Sequence, residues 1–453
     1  MSSETVDLIC GLLGMQVLKE SKTLKWKNNH ITILPTLSTD ENVNACDSVD
    51  IPIIRFMAQF PPSLSSSKNV LHLKAYALAE EDILDVVGNA LRSNIPIVIS
   101  GVAYDGLDGD PSVEYLDKYF AISPNRPHLD VIMQSIDHVN PTINGTIESF
   151  FDSMTDPTSI QCILDIPLAQ TSLPWALQNI DHGIVHGWNQ SVHTVPISSN
   201  VHPHNFTVRG WGMAHQAGFL MYPHHDVEGT LTWVRMEVGV KFWVLFWLKD
   251  QHDDWSHIQN IATQLINFVE NKAWLKKHCN TGLITLRPGD MLIQPPGTMH
   301  AVYTPVASFA TGGHFYHYLC MHLTELARYI DVKVGDSMTN QALDHALETL
   351  RHMVIAIPYL SSTISLSKRP LLSLCMMATS SKHYHAKGSN HRSVCDRETA
   401  KPSMDISDVI LEFLGTSQWV SASHILYQGN QFTARDLVDR KELDRALTQS
   451  LEL

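Results

Sequence analysis

The sequence has no uninterrupted apolar run of about eighteen residues, the length a bilayer-crossing helix needs, so no membrane span is expected. Its lysines and arginines form nothing longer than short pairs such as Lys276-Lys277 and Lys368-Arg369, and the formal net charge is −14. A chain of that charge without a basic patch is not expected to bind the phosphate backbone of nucleic acid directly. An acidic surface would suit a basic polypeptide, although acidity more often serves solubility. Cysteine is sparse. The seven, Cys10, Cys46, Cys162, Cys279, Cys320, Cys375 and Cys395, are odd in number, widely spaced and contain no C-x-x-C pair. That argues against a disulfide framework and a structural zinc module, and for a reducing, intracellular compartment. Met1 to Gln16 lacks the basic segment of a signal peptide, and Val6 to Leu13 reads as a short apolar helix. The sequons at Asn144, Asn189 and Asn205 therefore read as coincidence. No internal repeat is found.

What is present is an ordinary globular composition, 44% apolar and 17% charged over 453 residues, enough for one large domain with helical additions or for two domains. Pro61 to Ser67 marks a loop. Between Ala79 and Leu91, Ile83, Leu84, Val87, Ala90 and Leu91 fall at helical spacing, and Asn94 to Gly101 reads as a buried strand closing on glycine. Helices are expected over Val113 to Phe120 and from Gly145 to Phe151, the latter beginning at a threonine cap. Short β-rich runs dominate from about 160 to 320. Val238 to Trp247 is the clearest strand, with Lys241, Trp243 and Leu245 on one face and Phe242, Val244 and Phe246 on the other. Both faces are buried, and a lysine on an apolar side needs an anion unless it guards an edge or reaches water. Trp255 to Val269 reads as an inserted helix, and Asn340 to Ile357 as an amphipathic one with the stripe Leu343, Leu347, Leu350, Val354 and Ile357.

The most informative stretch is His224-His225-Asp226. On a strand, residues two apart share a face, so His224 and Asp226 can hold one metal ion from one side. Pro295-Pro296-Gly297-Thr298-Met299-His300 makes a tight turn that delivers a third candidate ligand, His300. Two neutral imidazoles and one carboxylate leave half of an octahedron open, the arrangement of non-haem Fe(II) oxygenases. Lys241, fifteen residues beyond Asp226, is placed to pair with the far carboxylate of a dicarboxylic cosubstrate. A His-x-Asp pair alone would not carry this, because the chain has 25 histidines.

The pattern H-x-D-x-x-G-T-x-x-W, then Gly239-Val240-Lys241-Phe242-Trp243, then P-P-G-x-x-H, then Gly312-Gly313-His314-Phe315 resembles the JmjC family of Fe(II)- and 2-oxoglutarate-dependent oxygenases. The likeness runs from about Ile95 to Ile357 and is nearest the fungal-type branch; Ile163-Leu164-Asp165-Ile166-Pro167 resembles a strand end that the family places just inside its pocket. The resemblance implies a mainly β, α+β fold: a double-stranded β-helix, or jelly-roll, with helical additions at both ends. It implies Fe(II) on His224, Asp226 and His300, 2-oxoglutarate on Lys241, and hydroxylation or N-demethylation of a protein, with a basic histone-like peptide one candidate and the nucleus the expected site.

Two positions depart from the family. Met221 stands where many members have Ser or Thr, and Cys162 where many have Asn near the cosubstrate. Tyr222, Thr230 or Thr304 are candidates to replace the lost donor. Losing one or two neutral hydrogen bonds costs about 1–3 kcal/mol, which weakens a cosubstrate without abolishing it. A non-catalytic scaffold of the same fold, and a cupin-like metal protein in which Lys241 is structural, remain alternatives. Trp233 and Trp243 are candidates to wall the cavity, with core packing the alternative role for each. The expected organisation is an N-terminal helical or irregular region (1–94), the barrel core (95–330), helices packed on it (331–378), a flexible linker (379–403) and a helical tail (404–453). His383, His385 and His391 lie in that linker and read as solvated.

Overall fold

The computed structural model describes residues 23–33, 38–39, 42–43, 50–77, 80–102, 111–133, 142–155, 160–168, 173–191, 209–249, 255–268, 270–334, 338–339, 343, 345–380, 383–384, 396–416 and 432–451. The apolar segment Val6–Leu13, Cys10, Cys46, Cys395, His385, His391 and the sequon at Asn205 lie outside these residues.

Two short hairpins, β1–β2 (Thr23–Lys25, Ile31–Ile33) and β3–β4 (Ser38–Thr39, Asn42–Val43), precede helix α1 (Asp50–Met57). There follow β5 (Leu71–Lys74), α2 (Glu80–Arg92), β6 (Ile97–Ser100), α3 (Val113–Phe120), β7 (Pro127–Met133), β8 (Thr142–Thr146), α4 (Ile147–Asp152) and β9 (Gln161–Pro167). The β-rich half comprises β10 (Trp211–His215), β11 (Leu220–His224), β12 (Leu231–Leu248), helices α5 (Trp255–Ile266) and α6 (Lys272–His278), then β13 (Cys279–Leu286), β14 (Met291–Gln294) and β15 (His300–Phe315). Among the described residues, five α-helices follow: α7 (Met321–Val334), α8 (Ala346–Ala356), α9 (Lys368–Thr379), α10 (Asp396–Phe413) and α11 (Arg440–Leu451).

Among the described residues eleven strands form one mixed sheet in the order β5-β6-β14-β12-β15-β10-β9-β7-β8, with β13 added to β12 and β11 to β15. β5 and β6 run parallel and the remaining pairs antiparallel, so the fold is α+β. β12 and β15, eighteen and sixteen residues long, pair along most of their length. The first half of β12 also pairs β14 and the second half β13, while β15 takes β11 at its start and β10 at its end.

The expected alternation over Val238–Trp247 is present. Trp243 and Leu245 pack inward with Met213, Leu286 and Val302, whereas Phe242, Val244 and Phe246 pack outward against Trp26, α1 and α5. The strand begins earlier than the sequence suggested, at Leu231, and its inward face changes from even-numbered residues (Val234, Met236) to odd ones (Trp243, Leu245). Register shifts between Met236 and Phe242 make that switch. Gly239 sits within them at φ +82, and a Cβ there would lie 2.1 Å from the Ala307 carbonyl oxygen, so only glycine fits.

Several local signals decide as expected. Thr146 caps α4, accepting from Ser149 N at 3.1 Å while Ser149 Oγ accepts from Thr146 N at 2.8 Å. Ile83, Val87, Ala90 and Leu91 of α2 are buried against β6 and β14, each worth about 1.5–3 kcal/mol or less by size. Other boundaries differ. The helix anticipated over 340–357 spans Ala346–Ala356, and α10 is helical from Asp396, so the last part of the anticipated linker is ordered. Its buried stripe, Thr399, Ser403, Ile406, Ser407 and Ile410, begins with small polar residues, and the helix contains Pro402, which together hide the helical period from an apolar count.

Candidate metal centre

β11 and β15 pair so that His224 lies directly across from His300, after a register shift beyond Met221. Asp226 follows on the next turn. One ligand atom from each of His224, Asp226 and His300 lies within 4.8 Å of the others, and this is the one such group of metal-binding type found among the described residues.

The hydrogen bonds around the three fix their chemistry. His224 Nδ1 donates to the Tyr222 carbonyl at 2.7 Å and His300 Nδ1 donates to the Thr298 carbonyl at 2.9 Å. A carbonyl can only accept, so each proton sits on Nδ1 and each Nε2 lone pair is free. Asp226 Oδ2 accepts from Gln294 Nε2 at 3.1 Å, and Gln294 Oε1 in turn accepts from the Trp243 indole at 2.9 Å. Oδ1 is 3.8 Å from His300 Nε2. Burial, and then His300, push the His224 imidazole down to about 3, and burial likewise lowers His300. Burial raises the Asp226 carboxyl, but His300, His314, His224 and the Thr232 hydroxyl together outweigh it and hold it below its ordinary value. Two neutral imidazoles face one carboxylate, which is the protonation state a divalent cation requires.

His225 takes the opposite face. Its Nε2 donates to Asp331 at 2.7 Å and its Nδ1 to the Asp226 carbonyl at 2.9 Å, so both nitrogens carry protons. Burial opposes that charge, yet Asp331 prevails and holds the imidazole above its usual value. The imidazolium ties the ligand turn to α7.

The cavity beside the three is about 40 Å³, lined among others by Leu164, Asp165, Met221, Thr232 and His314. Trp243 and Trp211 also form its wall, and Trp243 stacks on His300 with ring centroids 5.4 Å apart. Trp233 is on the other face, packed with Leu231 and Phe315. The sequence reading named neither Trp211 nor Gln294 nor His314 as a site residue; His314 Nδ1 is 2.9 Å from Thr232 Oγ1.

Lys241 is fully buried on the inward face. Its Nζ donates to His215 Nδ1 at 2.5 Å, and no ion pair joins it to a carboxylate among the described residues. Burial lowers it to about 7. Thr304 Oγ1 is 3.3 Å from the same His215 nitrogen, and Cys162 is the cross-strand partner of His215. The structure therefore brings Thr304 into the lysine's surroundings. It takes Tyr222 elsewhere: that residue is 38% exposed and its hydroxyl donates to Asp50. Thr230 is buried beside a separate small cavity with Ile184 and Thr349.

No family model matches the chain. Two curated proteins are similar to a fifth of it. One is JmjC domain-containing histone demethylation protein 1 of Caenorhabditis elegans, 34% identical over 97 residues, which are 21% of this chain and 8% of that protein. The protein of the same name in Caenorhabditis briggsae is 33% identical over 103 residues, 21% of this chain and 9% of its own length. The resemblance is to the JmjC family. The matched segment spans less than a tenth of those relatives.

Among the described residues, no helix is long and apolar enough to cross a membrane. Cys162, Cys279, Cys320 and Cys375 are buried.

Proposed function

We propose that the chain is an Fe(II)- and 2-oxoglutarate-dependent oxygenase of the JmjC kind, near the fungal-type branch, with its long strands folded as a double-stranded β-helix around the metal centre. The observation that carries this reading is the pair of fixed tautomers. His224 and His300 each commit Nδ1 to a backbone carbonyl and turn Nε2 toward the Asp226 carboxylate. That donor set suits a first-row divalent metal and leaves three positions of an octahedron for other ligands. When bound, iron and 2-oxoglutarate supply dioxygen-dependent hydroxylation of a C–H bond, with the cosubstrate leaving as succinate and carbon dioxide; on an N-methyl group the product breaks down to formaldehyde and amine. Lys241, which burial lowers to about 7, is the partner for the far carboxylate of the cosubstrate, whose negative charge would favour the protonated amine. Gln294 orients Asp226, and Trp243 shields His300 from water.

Charge fits the cosubstrate better than volume does. A space of about 40 Å³ holds only a few waters, and Met221 is on its wall. The thioether chain has three rotatable bonds and is the part that can swing aside. The same observation supports a second reading, a non-catalytic JmjC-like scaffold that keeps the fold and the metal while His215 occupies the lysine.

For the substrate we take a basic polypeptide segment, histone-like in character, and for the compartment the nucleus. A net charge of −14 attracts such a partner, and both relatives are named histone demethylation proteins.

The test is an anaerobic titration with Fe(II) and then 2-oxoglutarate, following the weak visible charge-transfer band of the chelate, with His224→Ala and Lys241→Ala as controls. A band present in the native chain and absent in His224→Ala supports the oxygenase. Iron binding with no band at any cosubstrate concentration supports the scaffold.

A further inference from the structure

A second and larger cavity, about 320 Å³, lies on the other side of the sheet from the metal centre. Side-chain alternation along β15 separates the two. His300 lines the metal-side cavity and Val302 points inward, whereas Ala301 and Tyr303, and Met299 just before the strand, pack outward with α1 and α5. The cavity is bounded by the end of β12 (Phe246 to Leu248), the Pro296–Met299 turn, Ile261 of α5, α7 and the end of α2, and is partly open to solvent. Its size falls within the range of small-molecule sites, about 300–1,000 Å³.

Its walls are divided by chemistry. Phe246, Ile261, Leu326 and Ile330 make an apolar side. Arg92 and His322 supply polar groups, and Arg92 Nε and His322 Nδ1 are both buried with no hydrogen-bond partner among the described residues. Arg92 donates from Nη2 to Asn89 at 2.7 Å, which accounts for one edge of the guanidinium and leaves its Nε edge unused. Buried donors are nearly always satisfied in folded proteins, so the unsatisfied Arg92 Nε–H marks a place for an acceptor that is not part of the chain, and a neutral His322 joins it at the same acceptor by carrying its proton on Nδ1. Burial, and then the cations Arg369 and Arg92, keep His322 neutral, with its pKa pushed down to about 3. The imidazole therefore adds no charge of its own, and Arg92 is the cation on this wall. An anionic acceptor is the complement.

We infer that this cavity binds an amphipathic carboxylate, such as a medium-chain fatty acid, with the carboxylate on Arg92 and His322 and the hydrocarbon chain along Phe246, Leu326 and Ile330. A doubly charged or wholly polar anion does not suit the apolar side, and a neutral hydrocarbon leaves both nitrogens unsatisfied. The site shares no side chain with the metal centre, so it is tested on metal-free protein and stands apart from the oxygenase proposal.

Octanoate is the probe, titrated calorimetrically into the full chain, with 1-octanol as the uncharged control. Saturable one-site binding of octanoate is expected, with 1-octanol weaker by about tenfold or more, the scale of one charge-assisted hydrogen bond. Arg92→Met should weaken octanoate by a similar factor, and Leu326→Trp, which fills the cavity, should abolish binding. Arg92 lies at the end of α2, so its variant keeps the fold, as circular dichroism would verify; if Leu326→Trp unfolds, Arg92→Met alone decides. Absence of saturable binding overturns the inference. So does octanoate affinity unchanged in Arg92→Met, or 1-octanol binding as tightly as octanoate.

Discussion

Lys241 Nζ donates to Nδ1 of His215 at 2.5 Å, inside the sheet and without a carboxylate partner among the described residues. Burial makes the lysine a site of electrostatic cost. Its folded pKa is about 7, against about 10.4 in an unfolded chain. Between those values the unfolded chain binds more protons, so stability should rise as pH increases from about 7 to about 10, by up to about 1.4 kcal/mol per pH unit. Urea unfolding of the native chain and of Lys241→Met across that range measures it. The difference between the two should shrink to nothing below pH 7 in slope, and a parallel pair of curves above pH 7 would contradict the burial argument.

Metal binding should tolerate acid. An ordinary imidazole begins to lose a metal to protons near pH 6.5, but burial holds His224 near 3 and lowers His300. Co(II), which resists oxidation, should therefore still raise the melting temperature at pH 5.5, and His224→Ala should remove the effect. At a hundred times the dissociation constant the stabilisation is about 2.7 kcal/mol.

Gln294 links the carboxylate ligand to the aromatic wall through its two bonds, to Asp226 and from Trp243. Gln294→Leu frees Asp226 to rotate and leaves the buried indole N–H unpaired. Co(II) affinity should fall by about 10–100-fold and stability by about 1–3 kcal/mol, read by calorimetry and urea unfolding on the same preparation.

Met221→Ala separates the two functional readings. Removing the side chain from the wall of the 40 Å³ cavity should tighten 2-oxoglutarate binding to the iron-loaded protein if the oxygenase reading holds. No gain in affinity would favour the scaffold.

Gly312→Ala probes close packing. A Cβ there would meet the Trp211 ring at 2.2 Å, and overpacking of this kind costs about 1–3 kcal/mol or more. The melting temperature should drop, and a Trp211→Phe background should restore part of it.

The reach of the sequence can be judged on particular residues. Strand alternation over Val238–Trp247, the threonine cap at 146 and the stripe of α2 were legible because each rests on spacing within one element, and His224, Asp226 and His300 were picked out by two separate short motifs, although Asp226 falls in the turn after β11 and not on the strand. Local chemistry determined them. The surroundings of Lys241 were not legible: its partner His215 is 26 residues before it and Thr304 is 63 after it, and only strand pairing brings the lysine and the threonine to the one His215 nitrogen. The same holds for Tyr222, drawn away to Asp50 across 172 positions of sequence. The helix at 396–413 was obscured because its buried stripe is partly Ser and Thr, whose burial depends on neighbours that the sequence does not order in space. The sequence by itself determined which residues could ligate a metal and which faces of the long strands are apolar. Tertiary structure decided which imidazole nitrogen is free, how little room lies beside the centre, and that a second cavity backs onto it, because each depends on groups distant in the chain meeting at atomic range.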